Sequence, residues 1–113
     1  MTERPAYKSH PLWESAMALT REAYAVAESV RERRPGTARR LRKAAVSVPA
    51  SIAAAVSEGE AKRRERVLAA RGALAEVARQ AARVPGEDSQ ELIRSAETLE
   101  LSVLFELGEE GVS

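Results

Sequence analysis

The chain has 113 residues, of which 44% are apolar, 31% charged and 4% aromatic, with one histidine and no cysteine. That length suits a single domain that buries roughly two thirds of the surface its unfolded chain would expose. The composition excludes disulfides and thiolate metal sites, and no run approaches the ~18 apolar residues of a membrane span.

The net charge of +1 conceals a strong asymmetry. Residues 1–83 carry 17 Lys or Arg against 9 Asp or Glu, and residues 84–113 carry 1 against 8. Such a division implies an anionic partner, or a bundle whose basic segments meet its own acidic last helix. Residues 1–10 include Glu3, Arg4, Lys8 and His10 but no apolar signal core, and read as a flexible tail of a cytoplasmic protein.

Four helical stretches follow over residues 11–107, with residues 108–113 as a second tail. The first is predicted from about Pro11, well suited to a first helical position, to about Arg33. Its apolar residues Leu12, Ala16, Leu19, Ala23, Val26 and Val30 step by four and three, as a bundle seam does. Trp13, Met17 and Tyr24 widen that stripe. Pro35-Gly36 reads as the following turn.

The second stretch runs from Thr37, a plausible N-cap, to about Ser57, with Leu41, Ala44, Ala45, Val48, Ile52, Ala55 and Val56 inward. Pro49 lies inside it. A proline there leaves the Ala45 carbonyl without its helical partner, so the segment is either two short helices or one kinked helix. The small residues around Pro49 favour the kinked form. Hydroxyls of Ser47 and Ser51 could serve the freed carbonyls.

The third stretch runs from about Ala61 to about Arg83, with Val67, Leu68, Leu74, Val77, Ala78 and Ala81 inward. Gly72 in its middle reads as a point of close backbone packing. Pro85-Gly86 is the next turn. The fourth stretch, from about Asp88 or Ser89 to Leu107, starts with acidic residues, as the helix dipole favours. Leu92, Ala96, Leu99 and Val103 form its seam. Leu101, Leu104, Phe105 and Leu107 are surplus to that seam. Together with Trp13, Leu101, Leu104 and Phe105 are the candidate subunit contacts. Short connections between these helices predict an all-α, antiparallel up-down four-helix bundle.

Two basic clusters stand out: Arg39, Arg40, Arg42 and Lys43 on the second helix, and Lys62, Arg63, Arg64 and Arg66 opening the third. Such clusters neutralise phosphates and give salt-dependent nucleic-acid binding. Cations at a helix start oppose the dipole, which argues for a functional reason at the second cluster. The alternative is a solvated face, or pairing with Glu58, Glu60, Glu65 and the acidic fourth helix. No aromatic interleaves either cluster, so recognition of backbone or shape is expected rather than base stacking. His10 has no partner set for a metal site or a catalytic triad. No catalytic residue, metal or cofactor is predicted, and the chain reads as a non-enzyme.

The segment Leu41-Arg42-Lys43-Ala44-Ala45-Val46-Ser47-Val48-Pro49-Ala50-Ser51-Ile52-Ala53 resembles the signature of bacterial four-helix-bundle proteins encoded in 23S rRNA intervening sequences. The accessory (Avd) proteins of diversity-generating retroelements are relatives of that family. Leu12-Trp13-Glu14-Ser15-Ala16 with Leu19 and Tyr24 is similar to its first helix, and Ala70-Arg71-Gly72-Ala73-Leu74-Ala75-Glu76 to its third. The sequence departs at Ser51, where the family has Asn, at Ala54-Ala55, where it has Glu-Gly, and at Ala73, where Ser is common. The resemblance implies a bundle with a kinked second helix and a ring-shaped homo-oligomer, commonly a pentamer. For the retroelement relatives it implies nucleic acid and a reverse transcriptase as partners. Two functions therefore follow as expectations. One is an oligomeric RNA- or DNA-binding bundle, accessory to a larger enzyme. The other is a structural adaptor acting through self-assembly and protein contacts.

Overall fold

A computed structural model describes residues 6–108. Among them there is no strand. The elements are a 3₁₀ turn at Ala6–Ser9, α1 (Pro11–Ser29), α2 (Pro35–Ser57), α3 (Glu60–Ala81), α4 (Glu87–Val103), and a π-helical turn at Leu104–Gly108. Of the two predicted tails, residues 1–5 and 109–113 lie outside the described residues. The rest of the N-terminal one is structured: Tyr7 packs edge-on against Trp13, ring centroids 5.8 Å apart.

His10 is the N-cap of α1, its Nδ1 accepting the Leu12 N–H at 3.1 Å. Pro11 follows at the position where a missing N–H costs nothing. The helix ends at Ser29, earlier than the periodicity predicted, because the Val30 N–H turns to the Ala27 carbonyl. Arg31, Arg33 and Arg34 therefore stand in the connection rather than on the last turn of α1. Pro35 presets the helical φ and opens α2 two residues before the predicted start. Thr37 is thus not the cap but a buried residue of the first turn, and Pro35-Gly36 is helix rather than turn.

All six residues of the first predicted seam are buried, Val30 just past the end of α1, and Ala27 joins them. Likewise Leu92, Ala96, Leu99 and Val103 of α4 are buried, as are Leu41, Ala44, Ala45, Val48, Ile52 and Ala55 of α2. Among the described residues, ten of the 24 buried apolar residues are alanine, so the core carries little side-chain bulk. Each helix packs on its neighbours in sequence, and α1 also meets α4.

On α3 the seam is Val67, Ala70, Leu74, Val77 and Ala81. Leu68, expected inside, is 58% exposed, because the stripe is carried on by Ala70 instead. Gly72 is exposed, and a Cβ there would meet nothing within 4 Å, so it is not a close-packing point. The turn into α4 is fixed by Gly86, whose φ of +117° L side chains rarely adopt. Buried Ser89 closes that turn, its hydroxyl shared between the carbonyls of Val84 (2.5 Å) and Gly86 (2.9 Å).

Pro49 does not split α2, which runs as one helix from Pro35 to Ser57. The Ala45 carbonyl is served from another helix: Thr20 Oγ1 of α1 donates to it at 3.2 Å, and also to Ala16 in its own helix at 2.9 Å. Ser47 instead bonds the Lys43 carbonyl at 3.1 Å, and Ser51 is half-buried. The hydroxyl predicted beside the proline thus comes from across the seam, where sequence proximity could not locate it.

Candidate nucleic-acid interface

The basic residues of α2 lie on its outer side. Arg39, Arg40 and Lys43 are exposed and Arg42 is half-buried. The inward positions Ala38, Leu41, Ala44 and Ala45 leave only this side for the long cations. Arg40 folds back along the first turn, its Nη1 3.5 Å from where a Cβ on Gly36 would stand. From Pro35 to Ser57 the helix contains no Asp or Glu. Among the described residues, none of the four cations makes an ion pair.

Several acids of the other helices hold cations of their own. Glu91 pairs with Arg94 at 2.8 Å, Glu100 with Arg71 at 3.3 Å and Glu28 with Arg31 at 3.4 Å. On α3 the picture differs. Lys62 and Arg64 are exposed, Arg63 and Arg66 half-buried, and Arg66 is held by Glu58 at 3.2 Å. The second predicted cluster is therefore partly neutralised, and the α2 cluster is the stronger positive surface.

Further along α3, Gln80 is buried and donates to Glu76 at 2.7 Å, while Arg79 bonds the same carboxylate at 2.9 Å. The Gln80 bond lowers the Glu76 pKa most. Desolvation opposes it, and Arg79 adds to the lowering.

Leu101 and Phe105, predicted as subunit contacts, are 70% and 74% exposed. Leu104 is half-buried. Trp13 does not stand out with them, being packed on its own core and on Tyr7. Exposed Leu68 joins the apolar set from α3, which packs against the turn holding Phe105. Sequence periodicity missed it, because its spacing fits the seam equally well.

Between α1 and α4 lies an open groove of about 390 Å³, lined among others by Ser15, Glu22, Glu91, Ser95 and Thr98. Ser95 reaches Glu22 at 3.4 Å, and no histidine lines it. Among the described residues no three His, Asp or Glu side chains gather as a metal site, and no helix is long and apolar enough to cross a membrane. No protein family, curated protein or solved structure matches this chain.

Proposed function

We propose that this chain is a non-catalytic, self-associating four-helix bundle that binds the phosphate backbone of RNA or DNA through the basic face of α2. The observation that supports it is the set Arg39, Arg40, Arg42 and Lys43 on a helix without an acid and without an ion pair among the described residues. Structural cations are normally compensated, whereas these are left to a partner in solution. Lys62, Arg63, Arg64 and Arg66, next to the far end of α2 from Arg39 and Lys43, form a second basic patch at the start of α3, partly held by Glu58.

In this reading the bundle is antiparallel and up-down, with α2 bent at Pro49. The connections support it, since the two residues between α2 and α3 are too short to return along a helix. The chain then belongs with the intervening-sequence and Avd-like bundles, cytoplasmic and ring-forming, as accessory to a nucleic-acid enzyme such as a reverse transcriptase. Fully buried Ala55, where those proteins carry Gly, keeps the small residue such a position needs.

The test is fluorescence anisotropy with labelled structured RNA, single-stranded RNA and duplex DNA across salt. Four phosphate contacts predict a log–log salt slope of about −3 to −4. Charge reversal of the four α2 residues should abolish binding, and no binding by the unaltered protein at low salt would refute the reading.

Exposed Leu68, Leu101 and Phe105 favour the second reading, an adaptor that acts through self-assembly or a larger protein partner. Leu104→Glu or Phe105→Glu should then dissociate the assembly without loss of helicity, read by light scattering and circular dichroism. A monomer at micromolar concentration before substitution would remove self-assembly altogether.

A further inference from the structure

The hydrogen bond from Thr20 to the Ala45 carbonyl fixes the register of α1 against α2. Five residues, Val30–Arg34, join the two helices. They span at most about 17 Å, too short to return along a 19-residue helix of about 28 Å. The two helices are therefore antiparallel. One turn beyond Thr20 on the same face of α1 is Tyr24, and one turn before Ala45 on the same face of α2 is Arg42. The register brings these two positions to the same level of the seam. Arg39 follows one turn further along α2, and Glu28 one turn further along α1, where Arg31 already pairs with it.

Tyr24 is 43% exposed, unlike Trp13, which packs on the core. An exposed ring thus stands beside the uncompensated cations of α2, although no aromatic interrupts those cations in the sequence. We infer that the ligand of this face is a single-stranded stretch of nucleic acid, with one unpaired base stacked on Tyr24 and the flanking phosphates on Arg42, Arg39 and Lys43. This inference rests on the nucleic-acid reading above and narrows it. A ring face accepts any base without hydrogen-bond readout, and a duplex has no free base face to offer it. The half-buried Arg42 supplies a planar cation at the edge of that stack.

The experiment titrates the full chain against a labelled oligouridylate of about 12 nucleotides, within the reach of one small site, and against a duplex of equal length. The unaltered protein should prefer the single strand. Tyr24→Leu, which keeps apolar bulk but removes the ring, should weaken single-strand binding about tenfold and leave duplex binding unchanged. Tyr24→Trp should retain or strengthen it, and helicity should be the same in all three. Equal loss for both ligands, or no loss with Tyr24→Leu, overturns the stacked base while leaving backbone binding in place. No binding of either ligand by the unaltered protein at low salt overturns both.

Discussion

Replacing Thr20 by Val keeps the side-chain shape and removes the hydroxyl that serves the Ala45 carbonyl. Pro49 has no N–H to give that carbonyl, so the substitution leaves a half-enclosed acceptor unpaired. An unsatisfied buried polar group costs about 1–3 kcal/mol. Thr20 shares its single proton with Ala16 at 2.9 Å as well as with Ala45 at 3.2 Å, so the low end applies, about 1 kcal/mol. Pro49→Ala changes the balance, because an N–H at position 49 restores the intrahelical bond to Ala45. In that background Thr20→Val should cost only a few tenths of a kcal/mol. The coupling between the two sites is then about 1 kcal/mol, outside the ~0.3–0.5 kcal/mol scatter of independent sites. Urea denaturation followed by far-ultraviolet circular dichroism measures all four corners of the cycle. If Thr20→Val costs the same with and without Pro49, the hydroxyl does not compensate the proline and the reasoning fails.

Gly72, inside α3, and Gly86, in the turn before α4, should respond in opposite directions. Gly72→Ala should stabilise by about 1 kcal/mol, since a Cβ there meets nothing within 4 Å and the position is mid-helix. Gly86→Ala should destabilise by about 1–3 kcal/mol, because the φ of +117° is strained for any L side chain even in open space. Thermal denaturation reads both. Glu76→Gln tests the α3 carboxylate. Its pKa is lowered in the fold, so its stabilisation is present above the unfolded carboxylate pKa and is lost as pH falls through the folded one. The substitution should therefore destabilise at neutral pH, and the difference should close in acid below the ordinary carboxylate range.

The four helices and their seams were legible because apolar spacing reports burial directly, as the six buried residues of α1 show. Boundaries were less legible. Pro35 is both a helix breaker and a favoured first residue, and local sequence does not say which role applies. Gly72 and Leu68 were misplaced for a related reason: a glycine tells only that no side chain is needed, and a leucine at the edge of a stripe fits either face. The basic cluster of α2 was visible as sequence. Its lack of ion pairs was not, because sequence does not say which acids of the other helices come to stand beside it. The role of Thr20 was beyond reach, since its partner Ala45 comes from α2 through register between helices.

The cost of the α2 cluster distinguishes a functional surface from a structural one. Arg39 and Arg42, Arg39 and Lys43, and Arg40 and Lys43 are like charges three or four residues apart on one helix. Each such pair destabilises by about 0.2–0.5 kcal/mol at low salt. Replacing Arg39 and Lys43 together with Gln removes all three repulsions while keeping helix propensity nearly constant. If the cluster serves a ligand, the double variant should gain about 1 kcal/mol of stability at low salt. The gain should shrink as salt screens the exposed charges, and nucleic-acid binding should weaken at the same time. If the residues are instead held by acids of this fold, the same substitutions should lower stability. A stability gain with lost affinity would identify charges kept at the expense of the fold for the sake of an anionic partner; a stability loss would return Arg39 and Lys43 to the architecture of the bundle.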